Sequence, residues 1–460
     1  MPIFNNFPLI NISDNTQNID YQQKKHKSHI LKKATKNIIT SLPQKKSLFQ
    51  KSQDIFGLYS KKVWIFLDFN KICCIFAQNF YETMIKRTLQ DKLTQYVGKG
   101  KAILLIGARQ VGKSTLFKML TNEISEENLI WLNCDQENVR DTLSNSSIVN
   151  LQLLIADKSF VVIDEAQRVP NIGLTLKLIV DNFPNVQLFV TGSSALDLHN
   201  RLNEPLTGRK IEYKLYPIST EEIYKAKGLV AVNEFFERRL IYGSYPDVLL
   251  GNLPAEKVLM ELTESYLYKD ILEIEGIRKS SVLQKLLVAL ALQIGSEVSY
   301  NELSKIVGID NKTIEKYIDI LEKCYIVFRL NCFSRNLRTE LTKSKKIYFY
   351  DLGVRNAILQ AFMPLNVRQD TGALWENFFI AERMKYNHYA DRLVNAYFWR
   401  TKNQQEIDYI EEVSGELHLF EMKWNVKKQN TAISNLFVET YNPKQINIVT
   451  PENYLSFLIS

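Results

Sequence analysis

Residues 107–115 read GARQVGKST and match the spacing Gly-x4-Gly-Lys-Ser. Each element has a physical task if the stretch wraps phosphate. Gly107 and Gly112 let the backbone turn so that its N–H groups point inward. A helix opening at the lysine adds its positive end. Lys113 neutralises the β- and γ-phosphates of ATP, and the Ser114 hydroxyl ligates the accompanying Mg²⁺. Ala108, Arg109, Gln110, Val111 and Thr115 complete the expected contact set. The other reading is a glycine turn with a solvated lysine. Context favours the phosphate loop, because the apolar strand AILLIG (102–107) enters the stretch and a helical pattern leaves it.

The neighbouring segments alternate in the same way. NLIWLNC (128–134), FVVID (160–164), VQLFVTG (186–192) and KIEYKLY (210–216) supply further strands. With helical stretches between them they predict a parallel sheet covered on both faces. Asp164 and Glu165 stand at the carboxyl end of their strand, where open parallel sheets bind ligands. Asp164 is placed to hold Mg²⁺ through water, and Glu165 to orient or deprotonate the attacking water; a plain helix-capping role for Glu165 is the alternative. Thr191 or Ser193 offers a hydroxyl to the γ-phosphate. Arg209 either stabilises transition-state charge, in its own subunit or in a neighbouring one, or forms a surface ion pair. A homo-oligomer is therefore among the expected partners.

Bulk composition, with 45% apolar and 23% charged residues, is that of a globular protein. The net charge of +8 is unevenly spread. Residues 1–83 hold 12 Lys and no Arg against five acids; the other 377 residues hold 46 basic and 45 acidic groups. The basic character belongs to a head that reads as poorly ordered, so the charge is weak evidence for nucleic acid. Five Cys without zinc spacing fit a reduced, cytoplasmic compartment. No apolar run is long enough to span a bilayer, and no membrane partner is expected.

Patterning begins at ETMIKRTLQDKLTQYV, an amphipathic helix. The expected divisions are the head (1–83), a P-loop ATPase core (84–218), a helical subdomain (219–280), a winged helix (281–355) and a small α/β domain (356–460). The winged-helix expectation rests on helix, helix, turn, helix, strand, basic turn, strand. Its third helix mixes Lys312, Lys316 and Lys323 with Glu315, Asp319 and Glu322, which suits DNA poorly. The wing, RNLRTELTKSKK, carries Arg335, Arg338, Lys343, Lys345 and Lys346 against Glu340 and suits phosphate better.

GARQVGKSTL, FVVIDEAQRVPN, LFVTGSSALDL, LTGRKIEYKLYPIS and YGSYPDVLL together resemble a widespread prokaryotic family of AAA-type ATPases with a C-terminal restriction-endonuclease-like domain. The resemblance covers roughly residues 84–455. It implies an α/β fold with ATP and Mg²⁺ on a sheet ordered as in AAA+ ATPases. It also directs attention to Glu376, Asp408, Glu421 and Lys423. In the PD-(D/E)XK nuclease arrangement an Asp and a Glu ligate a divalent cation, a Lys two residues on positions water, and an earlier helix adds an acid. Period two puts Glu421 and Lys423 on one strand face. Three readings stay open: an ATPase coupling nucleotide state to its C-terminal region, an ATP-dependent DNA nuclease, and a low-turnover ATPase switch.

Overall fold

Five short apolar strands build the first sheet. They are β1 (Ala102–Ile106), β2 (Leu129–Asn133), β3 (Phe160–Asp164), β4 (Gln187–Gly192) and β5 (Lys210–Lys214). All pair in parallel, in the order β2-β3-β4-β1-β5. The middle strands β1 and β4 are buried at every position, as a sheet covered on both faces requires. Because the strands run the same way, the loop after β1, the acids ending β3 and the hydroxyls ending β4 emerge along one edge. The computed structural model describes residues 84–144, 147–193, 206–264, 280–335, 345–401, 403, 405–425 and 435–459. The expected head and the wing positions Arg338, Glu340 and Lys343 lie outside them.

A long helix, Thr220–Tyr242, follows the sheet. Ser219 and Glu222 close it with a reciprocal capping box, and Gly228 kinks it with φ 78°. At its far end Gly243 has φ 74°, and a Cβ there would lie 1.9 Å from Asp351 Oδ1. No side chain fits. Asp351 accepts from Ser244 N at 2.7 Å and from Gly353 N at 2.9 Å, capping the helix Leu352–Leu359.

The next run is helix Ser280–Leu292, β6 (Glu297–Val298), helices Tyr300–Val307 and Asn311–Lys323, then β7 (Val327–Cys332) and β8 (Lys345–Phe349). After helix Thr371–Tyr389 come β9 (Asn395–Arg400), β10 (Glu406–Val413), β11 (Glu416–Met422), helix Asn435–Tyr441 and β12 (Gln445–Val449). One seven-stranded sheet takes them all, in the order β12-β11-β10-β9-β7-β8-β6. The join is a parallel pairing of β7 with β9 at Asn331/Tyr397 and Cys332/Phe398. The division expected at 355/356 therefore does not interrupt the sheet.

Helix Thr371–Tyr389 is the strut between the two sheets. Glu382 accepts from both Thr220 N and Thr220 Oγ1 at 2.6 Å, at the start of the long helix. Arg239 and Lys385 flank the same carboxylate at 2.9 and 2.6 Å. Burial alone would raise the Glu382 pKa, but these cations outweigh it and hold it at about 2. One turn on, Lys214 N donates to His388 Nε2 at 3.3 Å and Tyr216 N donates to Tyr389 Oη at 3.1 Å.

Burial, with Lys214 beside it, pulls the His388 pKa from 6.5 down to about 4. The unfolded chain binds a proton near the upper value, whereas the folded chain binds it only near the lower one. The stability His388 contributes is complete above pH 6.5 and is lost as pH falls towards about 4. Thermal melts across this window are expected to drop more steeply for the wild type than for His388→Gln. Parallel curves would place the acid sensitivity elsewhere.

Candidate functional site

The turn after β1 depends on glycine at both ends. Gly107 has φ 155°, and a Cβ there would sit 2.2 Å from Leu215 O. Gly112 has φ 96° and caps helix Lys113–Thr121, with Gln110 at φ 60° between them. The loop therefore approaches neighbouring backbone more closely than any side chain permits. Lys113 turns back into it, donating to Gly107 O at 3.1 Å and Ala108 O at 2.8 Å. Its ammonium is buried, which lowers its pKa, while Glu165 and Asp164 act in the opposite direction. Val111 O accepts from Arg87 Nη1 at 2.8 Å, a contact nothing in the local pattern foretold.

Across the strand ends, Ser114 Oγ donates to Asp164 Oδ1 at 2.9 Å. Thr191 Oγ1 donates to the same oxygen at 2.5 Å and accepts from Glu165 N at 2.9 Å. Thr191 is fully buried, and its only hydrogen is committed to Asp164. Ser193 Oγ, the other hydroxyl at this strand end, accepts from Gln167 Nε2 at 2.8 Å. Glu165 has φ 56°, the left-handed region, and its Oε2 accepts from Gln167 Nε2 at 2.6 Å. The expected loop, acid pair and serine thus face one another.

Arg209 stands apart. It precedes β5 at the amino end of the sheet, where its carbonyl accepts from Ala102 N, and its Nε donates to Asp181 at 2.6 Å. β1 runs five residues from there to the phosphate loop, about 16 Å at strand rise. The side chain does not span that distance, so the expectation of an arginine acting within its own subunit is corrected to a surface ion pair. Thr115 opens the first turn of the helix after the loop.

In the second sheet, Glu376, Asp408, Glu421 and Lys423 come into electrostatic reach of one another. Asp408 Oδ2 accepts from Met422 N at 2.9 Å, and Lys423 Nζ donates to Glu421 Oε1 at 2.7 Å. Glu421 Oε2 is buried without a hydrogen-bond partner. Burial, then the charge of Glu376, pushes the Asp408 pKa up to about 7. Burial and Asp408 raise that of Glu421.

Lys346 completes this cluster. It is 1% exposed and pairs with Glu376 at 3.0 Å and Glu406 at 2.5 Å. The expected wing cation for phosphate is instead an internal counter-charge, because alternate positions of β8 face opposite sides. Tyr348, two residues on, donates to Glu376 at 2.6 Å from the same face. Among the described residues no three His, Cys, Asp or Glu side chains are gathered closely enough to hold a metal ion. Nor is any helix there long and apolar enough to cross a membrane.

Residues 99–224 match the family model described as AAA domain. Residues 233–365 and 371–455 match models described as domains of unknown function, DUF8612 and DUF4143. An uncharacterized protein of Haemophilus influenzae is 24% identical over 394 residues, covering 81% of this chain and 93% of that protein. One of Methanocaldococcus jannaschii is 23% identical over 410 residues, covering 80% and 88%. Among solved structures, the Pif1 helicase of Candida albicans overlays with a TM-score of 0.23 at 15% identity, over 39% of this chain and 48% of that one. The segment that holds the sheet and the loop after β1 is thus the part of the chain similar to the AAA domain model.

Proposed function

We propose that the chain binds ATP with Mg²⁺, hydrolyses it, and passes its nucleotide state to the seven-stranded sheet. The observation that carries this reading is the bond from Ser114 Oγ to Asp164 Oδ1 at 2.9 Å, opposite a glycine loop with Lys113 at its centre. A hydroxyl and a carboxylate meeting there, beside a glycine loop into which a lysine turns, fit the donor set that Mg²⁺ and a triphosphate require. Ser114 and Asp164 would hold the ion, which when bound neutralises phosphate charge. The loop amides and Lys113 orient the phosphates. Glu165 accepts the proton of the attacking water, and Ser193 donates to the terminal phosphate.

Helix Thr371–Tyr389 supports the proposed coupling. Tyr216 accepts from Arg87, which holds Val111 of the loop, and donates to Tyr389. Glu376 lies on the same helix, 13 residues before Tyr389, or about 20 Å at helical rise. A shift of the loop thus has a stiff path to the charge cluster.

The run from Ser280 to Phe349 supports a winged helix, since β6 pairs with β8 and β8 with β7, both antiparallel. We further propose that the seven-stranded sheet serves binding rather than DNA cleavage. Lys346 pairs with Glu376 and Lys423 with Glu421, two of the three acids that the nuclease arrangement would offer to a cation. Salt-sensitive DNA contact through Arg335 and Lys345 remains compatible with this reading.

Two experiments test it. Lys113→Ala is expected to abolish binding of a fluorescent ATP analogue, while Glu165→Gln binds ATP but releases phosphate at least about 100-fold more slowly. Equal affinity in wild type and Lys113→Ala would contradict the loop assignment. Lys346→Met is expected to lower the melting temperature in EDTA, with millimolar Mn²⁺ restoring part of the loss. The wild-type melting temperature should not move. A wild type stabilised by Mn²⁺ through Asp408 and Glu421, with Mg²⁺-dependent DNA cutting lost in Asp408→Ala, would favour the nuclease.

A further inference from the structure

We infer that Gln167 is a positioning residue that ties Glu165 to Ser193, so that the group meeting the terminal phosphate also fixes the aim of the base. The inference rests on the ATPase reading above. Gln167 was not singled out by the sequence, where it merely follows the acid pair in DEAQ.

Three bonds define its place. Gln167 Nε2 donates to Glu165 Oε2 at 2.6 Å and to Ser193 Oγ at 2.8 Å, and Ser193 N donates to Gln167 Oε1 at 3.3 Å. The third bond fixes the orientation of the amide. Turned over, it would set oxygen against the Glu165 carboxylate and N–H against N–H. Both amide hydrogens are therefore used, one on the base and one on the serine. The backbone at Glu165 is committed too, with φ 56° and its N–H on Thr191.

Ser193 Oγ accepts from Gln167, so its own hydrogen is the one available to a phosphate oxygen. Thr191 cannot take that part, because its hydrogen goes to Asp164. A phosphate at the strand ends would thus accept from Ser193, Ser193 from Gln167, and Glu165 from Gln167. Donation by Ser193 to the phosphate strengthens the bond that it accepts from Gln167, and the planar amide carries that fixed orientation to its other hydrogen, on Glu165. No bond has to break when phosphate arrives. The chain tightens, and the Glu165 carboxylate is held in one orientation when the substrate is complete. ADP lacks the group that would engage Ser193.

A glutamine that only packed the short turn Ala166–Arg168 would behave differently, and variants of the full chain separate the two roles. Gln167→Ala is expected to lower kcat for phosphate release about 10- to 100-fold, leaving KM for ATP within about twofold. Ser193→Ala should also lower kcat, and the double variant should fall no more than about twofold below Gln167→Ala, since the serine acts through the glutamine. Gln167→Glu, close to the native side chain in shape, should be at least as slow as Gln167→Ala because it sets a carboxylate against Glu165. Losses that multiply, or a Gln167→Glu variant with wild-type kcat, would overturn the relay alone. A wild type that binds ATP, with Lys113→Ala unable to, yet releases no phosphate would overturn the hydrolytic reading and the relay together.

Discussion

One guanidinium fixes the phosphate loop to the body of the molecule. Arg87 is 6% exposed and donates to Val111 O in the loop, to Tyr216 O beyond β5, and to Glu222 Oε1 at the start of the long helix. Burying such a charge costs several kcal/mol, and the offset comes from a carboxylate of good geometry plus two carbonyls. Glu222 is itself saturated, since it also accepts from Thr88 N and Ser219 N. Neither partner can leave without stranding the other in a dry place. The loop, the exit from the sheet and the first turn of the long helix are therefore held as one body. A loop built on glycines, which prefers no single conformation of its own, needs that outside fixture.

The strands and the loop were legible in the sequence because their signals are local. FVVID coincides with β3, and AILLIG and VQLFVTG miss their strands by a residue. Ser299 likewise follows a local rule, accepting from Glu302 N at the start of helix Tyr300–Val307. Arg87 was hidden because its partners lie far along the chain and its own helix shows only apolar periodicity. Lys346 was misread for a related reason. A charge count along RNLRTELTKSKK treats neighbouring lysines alike, whereas β8 turns Lys345 outward and Lys346 into the acids. The parallel join of β7 to β9 was also invisible, since nothing in either strand names its partner.

Gln167 illustrates a different limit. Asp164 and Glu165 draw attention by type and position, since an acid pair after an apolar strand has two readings, a metal-and-base pair or a helix cap. A glutamine two residues later has many. Its role emerges only when Ser193, 26 residues on, is placed beside it by the adjacency of β3 and β4. The order β2-β3-β4-β1-β5 makes this possible. With β4 between β3 and β1, Thr191 at its end meets Asp164 and Glu165, and Gly192 accepts from Gly107 N at the start of the loop. Had β3 lain next to β1, the end of β4 would have been one strand too distant to touch both.

The acid cluster of the second sheet follows from the same physics of buried charge. Two carboxylates about 4 Å apart repel by about 4 kcal/mol at an effective dielectric of about 20. Something must offset that repulsion: a proton, a metal ion or a basic side chain. Here a lysine from β8 supplies the charge to Glu376 and Glu406, and Lys423 supplies it to Glu421. Among the described residues Asp408 accepts from a backbone donor alone, and burial and the charge of Glu376 raise its pKa. A lysine and a divalent cation satisfy the same acids, but only the cation can be exchanged with solvent. By placing the counter-charge on a strand continuous with β7 and β9, the fold makes the cluster part of the sheet's own cohesion. A ligand that used Glu376 would compete with Lys346, and the strand that carries Lys346 pairs with β7, which joins the two halves of the sheet.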